Sequence, residues 1–275
     1  MIGDHKQLPA VVQQKEEVSR VSEPILNDIY LTDCRLSLFE RLLRRYASNP
    51  SVTYMLRKQG RMHPDIALFP NHAFYADQLL VVPRPHQTVC LPSKGNGESA
   101  MTDLLQTKRI AFIAVDAPED SPSDKVNQNE AELIAAMVVK IYEMEQGRGF
   151  DVNRTVGVIV PYRNQIAAVR KAIDQAGIPL LHDITIDTVE RYQGSQRKYI
   201  LYGFTIQKYY QLKFLTDNVF EDFDGSIVDR KLNVAMTRAE EHLYLFGNPR
   251  LLARDYTFAR LLDFLRSRNC YFRIT

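Results

Sequence analysis

Apolar residues along the chain fall into short runs that are either uniformly hydrophobic or spaced at three to four. Arg109–Val115, Thr155–Val160, Ile184–Val189, Lys198–Thr205 and His242–Gly247 are runs of strand length, rich in Ile, Val, Phe and Tyr. Near-continuous hydrophobicity of this kind predicts strands buried on both faces. Between them lie segments with helical spacing: Asn129–Glu145, Asn164–Ala176 and Val228–Glu241, with a basic helix at the end of the chain. Upstream, Leu36–Tyr46 carries apolar positions on one face and Arg41, Arg44 and Arg45 on the other. A second helix is expected over residues 64–76, broken at Pro70. Val52–Leu56 reads as a short strand, and Met1–Asp4 as the tail of a buried strand. Residues 13–30, 81–107 and 206–229 read as loops. Strands alternating with helices of 10 to 17 residues predict an α/β domain with a mostly parallel sheet covered on both faces.

Composition changes this picture little. Of 275 residues, 45% are hydrophobic and 25% charged, which excludes wholesale disorder, and the net charge is only +2. A nucleic-acid partner would therefore have to be held by a local basic patch. One candidate is the stretch 250–275, with six arginines against two aspartates; a solvated helix face explains those arginines equally well. Cys34, Cys90 and Cys270 are scattered and form no C-x-x-C pair, so neither a disulfide scaffold nor a cysteine-pair zinc site is expected. No metal site is expected: His63 has no second ligand at metal spacing and reads as structural. No run of 18 apolar residues suggests a membrane span, and the first residues lack the apolar stretch of a signal peptide, so the chain reads as cytoplasmic.

Five polar blocks carry candidate chemistry, and each also has an ordinary reading. Gly3-Asp4-His5-Lys6-Gln7-Leu8-Pro9 can be a simple turn. Gln59-Gly60-Arg61-Met62-His63-Pro64 puts Arg61 between a strand and a helix, where a guanidinium could reach a phosphate at the carboxyl edge of a sheet. Pro161-Tyr162-Arg163-Asn164-Gln165 sits where a strand ends and a helix begins, with side chains suited to phosphates or bases. In Asp187–Gln196, Thr188 and Gln193 offer hydrogen bonds and Gly194 permits close backbone approach. Leu232–Ala239 reads as a helix on which Arg238 faces either solvent or a cleft. There is no G-x-x-x-x-G-K-[ST], no G-x-G-x-x-G and no G-x-S-x-G. A phosphate-cradling loop, a dinucleotide site and a hydrolase elbow therefore have no sequence support.

In order and spacing, these blocks resemble the later motifs of superfamily 1 helicases, in the branch of the nonsense-mediated-decay helicase and the Okazaki-fragment nuclease-helicase. The lesser blocks Ser37–Leu42 and Phe74-Tyr75 also match. The resemblance covers residues 1 to about 250. It implies a RecA-like, three-layer α/β/α fold: the second motor domain over residues 35–275, without the P-loop itself. Residues 1–34 would be a motif III loop and linker left from a first motor domain, with Met1 an internal methionine of a longer protein or the start of a trimmed one. By resemblance, Gln7, Arg61 and Arg238 are the catalytic candidates, with Arg61 and Arg238 directed at the γ-phosphate of ATP. Gly194, Gln196 and Lys231 would lie beside the nucleotide. Thr188, Gln193, Pro161, Tyr162, Arg163 and Gln165 would lie along a single strand, DNA ahead of RNA. ATP and Mg2+ would be held mainly by the first domain, leaving this chain inactive alone. Three positions depart from the family pattern: Gly60 replaces a tyrosine that packs on adenine, Gln196 a glutamate that contacts ribose, and Lys231 an arginine. The absent phosphate loop and Gly60 favour the alternative of an ATP-independent nucleic-acid-binding or scaffolding module, whereas the intact arginines favour the motor.

Overall fold

The structure is a computed structural model that describes residues 1–9, 14–116, 123–192 and 194–274. The chain divides into two compact units, Met1–Arg57 and Lys58–Thr275, so the expected boundary at 34/35 falls inside the first.

The first unit carries short helices Glu16–Ser19 and Pro24–Asp28 where a loop was expected, and a longer helix Leu38–Tyr46. Ser37 starts the long helix with a capping box: its hydroxyl accepts from Glu40 N at 3.1 Å, and Glu40 Oε2 accepts from Ser37 N at 3.4 Å. Arg44 and Arg45 in its last turn suit the negative end of the helix dipole. Met1–Asp4, expected as a strand tail, forms no strand and is exposed. Val52–Leu56 is not a strand either. A turn at Asn49 takes the amides of Val52 and Thr53, and among the described residues no strand pairs with this segment.

Among its described residues the second unit contains ten strands. β1 (Lys58–Gln59) and β2 (Leu80–Val81) form a parallel pair. β7 (Val219–Glu221) and β8 (Ile227–Asp229) form an antiparallel hairpin. The remaining six are β3 (Ile110–Ala114), β4 (Val156–Ile159), β5 (Thr185–Asp187), β6 (Arg197–Gly203), β9 (Ala239–Gly247) and β10 (Tyr271–Phe272). They build one wholly parallel sheet in the order β10-β3-β9-β6-β4-β5. Helices Ala100–Thr107, Gln128–Glu145 and Arg163–Asp174 bury Leu105, Ile134, Val138, Val169 and Ile173 with Ile113, Val158 and Leu201 of the sheet. Because side chains alternate along a strand, Ile110 and Phe112 face the other way. Helices Pro64–Phe74, Arg230–Met236 and Tyr256–Ser267 pack against strands of the sheet, completing three layers. Helix Pro64–Phe74 runs through Pro70, held by the buried Ile66, Phe69 and Phe74.

Two segments differ from expectation in ways that matter for the site. The expected helix Val228–Glu241 is only Arg230–Met236. Asp229 caps it, its Oδ1 accepting from Leu232 N at 2.9 Å, and the parallel ladder claims the chain again from Ala239, paired with Arg197. Ala-Glu-Glu favours a helix locally, but here the ladder with β6 overrides that preference. Residues 206–229, expected as loop, hold a 3-10 turn Tyr209–Gln211, a short helix Leu212–Leu215 and the β7–β8 hairpin.

Candidate nucleotide and nucleic-acid sites at the two edges of the sheet

Arg61 and Arg238 come together where β6 and β9 begin. Gln59 shapes the loop before Arg61: its Oε1 accepts from Arg61 N (3.1 Å) and Met62 N (2.9 Å), while its Nε2 donates to Met62 O (3.0 Å). Gln87 also donates to Met62 O, and the His86 ring bonds to Arg61 O at 2.7 Å. From this loop Arg61 donates Nε to Gln196 Oε1 at 2.9 Å and Nη1 to Thr237 O at 3.1 Å. Arg238 follows the helix Arg230–Met236 and is only 2% exposed. It donates Nε to Val234 O (3.1 Å), Nη1 to Ser195 O (3.3 Å) and Nη2 to Thr237 Oγ1 (3.4 Å). The arginines thus share Thr237 and the Ser195-Gln196 dipeptide.

This geometry corrects two expectations. Arg61 reaches the amino edge of the sheet, not the carboxyl edge, because Gln196 and Thr237 lie just ahead of β6 and β9. Arg238 does not face an open cleft from the side of a helix, because that helix ends at Met236 and the chain turns into β9.

The loop that delivers Gly194, Ser195 and Gln196 is anchored from within. The Tyr192 hydroxyl donates to Thr185 O at 2.8 Å and lies where β4 allows no side chain: a Cβ on Gly157 would sit 2.2 Å from it. Gly194 has φ +88, the left-handed turn that glycine adopts freely. Gln193 lies outside the described residues. Gln196 Nε2 in turn donates to Glu240 Oε1.

The carboxyl edge collects the other candidates. Tyr162, after β4, is half-buried and stacks on Phe214, with ring centroids 5.2 Å apart at 21°. Burial raises its pKa. Pro161 is half-buried beside it, and Arg163 is exposed at the start of the next helix. After β5, Thr188 O accepts the amides of Arg191 and Tyr192, holding the turn toward the amino edge. Burial pushes the Glu190 carboxyl up, but hydrogen bonds from its own amide and Thr188, and the charge of Lys231, hold it below its ordinary value.

Two further placements correct the sequence reading. Lys231, expected beside the nucleotide, sits at the other end of the helix that precedes Arg238, about 10 Å away along its axis. Its buried ammonium is held by Asp217 (2.9 Å), Glu190 (3.3 Å) and Phe214 O (3.1 Å). Gln165, expected on the nucleic acid, is fully buried. Its Oε1 accepts from Asn127 N at 2.9 Å, and its Nε2 donates to Asn127 O at 3.0 Å and Glu130 Oε1 at 3.3 Å. In the first unit, Gln7 lies in a turn, with its amide bonded to Asp4 O and its side chain to Asp4 Oδ2.

A family model described as "AAA domain" matches residues 34–250. The chain belongs to that family. The motif order and the relatives make it a superfamily 1 helicase domain with a RecA-like α/β fold. An uncharacterized ATP-dependent helicase of Methanocaldococcus jannaschii is 29% identical over 97% of this chain and 34% of its own length. Regulator of nonsense transcripts 1 of Dictyostelium discoideum is 28% identical over 98% of this chain and 18% of its own. Helicase sen1 of Schizosaccharomyces pombe is 28% identical over 98% of this chain and 14% of its own. The domain therefore spans about a third or less of these relatives.

Within the helicase domain, the donor set at the amino edge fits a phosphate. Arg61 donates to two neutral oxygens, and among the described residues no carboxylate pairs with it, so its charge is available to an anion. No cluster of three or more His, Cys, Asp or Glu among the described residues could hold a metal ion, and no helix among them is long and apolar enough to cross a membrane. Gly60 is covered by an exposed guanidinium: Arg84 Nε lies 2.8 Å from where a Cβ on Gly60 would be. Sequence reading missed Thr237, Ser195 and Arg84. Thr237 adjoins Arg238 and was within reach of inspection. Ser195 acts through its carbonyl, and Arg84 meets Gly60 only in the fold.

Proposed function

We propose that this chain is the second motor domain of an ATP-dependent helicase, presenting arginines to the γ-phosphate of a nucleotide seated mainly on a first motor domain. Residues 1–34 would be the motif III segment of that first domain, with Gln7 linking nucleotide and nucleic acid. The observation that carries the reading is the convergence of Arg61 and Arg238 on Thr237. Arg61, held by an amide oxygen and a carbonyl with no carboxylate partner among the described residues, is pre-positioned without losing its charge to an acid, and Arg238 is fixed beside it. Arg61 is the outer donor and Arg238 the inner one, and Gln196 and Gly194 border them. ATP would supply the transferable phosphoryl group, and the first domain would hold Mg2+. This chain's part is to orient the phosphate and to offset the negative charge that grows on it.

The residues at the carboxyl edge, Pro161, Tyr162, Arg163 and Thr188, would lie along single-stranded nucleic acid, DNA ahead of RNA. The test uses a protein containing both motor domains. Arg61→Ala is expected to lower ATP turnover by roughly 10³-fold while leaving the melting temperature unchanged, since Arg61 is only half-buried. Near-normal turnover in that variant would overturn the reading in favour of an ATP-independent module.

A further inference from the structure

We propose that the aromatic turn Tyr209–Phe214 is a stacking platform for single-stranded nucleic acid, with Tyr209 and Tyr210 as the rings that take bases. The proposal rests on the helicase reading above and assigns part of its strand-binding surface to residues outside every motif block. The segment reads Gln207-Lys208-Tyr209-Tyr210-Gln211-Leu212-Lys213-Phe214.

The turn is fixed to the sheet by one buried side chain. Gln211 is 1% exposed. Its Oε1 accepts from Gln207 N and Lys208 N, both at 2.9 Å. Its Nε2 donates to Asp124 O (2.6 Å), the Tyr162 hydroxyl (3.3 Å) and Thr205 O (3.4 Å). The turn is thereby tied to the segments that follow β4 and β6 and to the loop before helix Gln128–Glu145. On this rigid base Tyr209 and Tyr210 stand 57% and 62% exposed, beside Phe214 at 43%. Phe214 packs on Tyr162 and Lys231, but Tyr209 and Tyr210 stand mainly in water on a short turn, and exposed aromatic groups of this kind mark binding surfaces.

Cations surround the rings. The Arg254 guanidinium lies 5.1 Å from the Tyr209 centroid, and the Lys231 ammonium 4.3 Å from that of Phe214. Lys208 and Lys213 are exposed on the turn itself, and Arg163 is exposed next to Tyr162. The acids facing the turn are engaged. Asp124 accepts from the Tyr210 hydroxyl at 2.9 Å and pairs with Lys208 at 3.2 Å, and Asp217 and Glu190 pair with Lys231. Fixed aromatic faces beside the exposed Arg163, Lys213 and Arg254 match the chemistry of an unpaired strand, whose bases stack while its phosphates meet lysine and arginine. A duplex keeps its base faces covered, and an apolar protein partner gains nothing from the cations.

The experiment measures fluorescence-anisotropy binding of a labelled dT20 oligonucleotide, an rU20 oligonucleotide and an abasic 20-mer to this chain at low salt. Tyr209→Ala/Tyr210→Ala is expected to weaken dT20 and rU20 binding by about 10-fold or more, in line with base–aromatic stacking. It should leave abasic binding unchanged, and Tyr209→Phe/Tyr210→Phe should bind like wild type because the rings remain. Lys213→Ala should reduce the salt slope by about one and keep the preference for dT20 over the abasic strand. Both tyrosines are exposed, so melting should not move. Wild-type binding that survives loss of both rings, or that is equal for dT20 and the abasic strand, overturns this proposal alone and makes the turn a candidate protein-docking surface. Wild-type protein that binds none of the three strands overturns the nucleic-acid half of the helicase reading, and this proposal with it.

Discussion

The two edges of the parallel sheet handle charge in opposite ways. At the amino edge Arg61 and Arg238 are held by carbonyls, a hydroxyl and an amide. At the carboxyl edge Lys231 is neutralised by Asp217 and Glu190, and the exposed groups are aromatic. The first arrangement leaves Arg61 without a carboxylate partner among the described residues, as the proposed phosphate contact requires, while the second uses its buried cation as structure. The helix Arg230–Met236 connects them, with Lys231 at one end and Arg238 just past the other. A seven-residue helix therefore separates a structural cation from an arginine of the proposed phosphate site.

The sharpest way to break this contrast is to remove Arg238. Its guanidinium is buried and serves Val234 O, Ser195 O and Thr237 Oγ1 among other partners, so Arg238→Ala leaves Val234 O and Ser195 O without their charged donor. The expected loss is about 3 kcal/mol of domain stability, at the scale of hydrogen bonds from a charged group. Urea unfolding of the variant checks this. In a two-domain motor the variant should also lose turnover, but only Arg61→Ala should lose turnover without a stability change. An unchanged unfolding midpoint for Arg238→Ala would show that its bonds contribute little and that it is held for function alone.

A second test addresses the buried carboxyl beneath the carboxyl edge. Glu130 is fully buried, accepting from Thr205 N, Thr205 Oγ1 and Gln165 Nε2. Burial raises its pKa from 4.5 to about 7, against the pull of those bonds. Between these values the folded state keeps a proton that the unfolded chain has released. Its contribution to stability is therefore present at low pH and lost as pH rises through about 7, a change of about 3 kcal/mol. Asp229, raised from 3.8 to about 7 by burial, acts in the same direction. Glu130→Gln should reduce the difference in unfolding free energy between about pH 5 and pH 8 by roughly half. An undiminished difference would mean that Glu130 does not titrate in that window.

Most of this frame was legible in the sequence, and the exceptions share one cause. β3 could be read because Ile110–Ala114 is apolar at every position, as a strand covered on both faces must be. β10 could not: Tyr271–Phe272 is two residues long and exists as a strand only through pairing with Phe112 and Ile113. Arg61 and Arg238 were identifiable as residues, but not the edge they serve. That depends on the Arg197–Ala239 pairing, which ends the helix early and turns Arg238 inward. Gln165 looked like a solvent-facing amide beside Tyr162 and Arg163. It is buried because Asn127, 38 residues away, brings a backbone amide and carbonyl to meet it. In each case a non-local partner decided what local pattern left open.

The loop between the edges offers a third test. Gly157→Ala would place a methyl 2.2 Å from the Tyr192 hydroxyl, which is itself fixed on Thr185 O. Forcing that contact should cost about 1–3 kcal/mol and shift the loop that delivers Ser195 and Gln196. Adding Tyr192→Phe removes the clashing oxygen, so the double variant should lose less than the sum of the singles. Additive losses would show that the loop is anchored elsewhere.

The smallest expected effect concerns Lys231, and it decides whether the two edges are separate. Methionine has a similar length and no charge, so Lys231→Met keeps an apolar stem beneath the Phe214 ring while releasing Asp217 and Glu190. Both acids are about 40% exposed, so water takes over much of their solvation, and the loss should stay at about 1 kcal/mol or below. The helix keeps its Asp229 cap, and Arg238 at the far end keeps its bonds to Val234, Ser195 and Thr237. Turnover of a two-domain motor carrying Lys231→Met should therefore remain within a small factor of wild type, where Arg61→Ala loses roughly 10³-fold. A fall as deep as that of Arg61→Ala would place Lys231 with the nucleotide after all. The helix would then join two parts of one site instead of separating two.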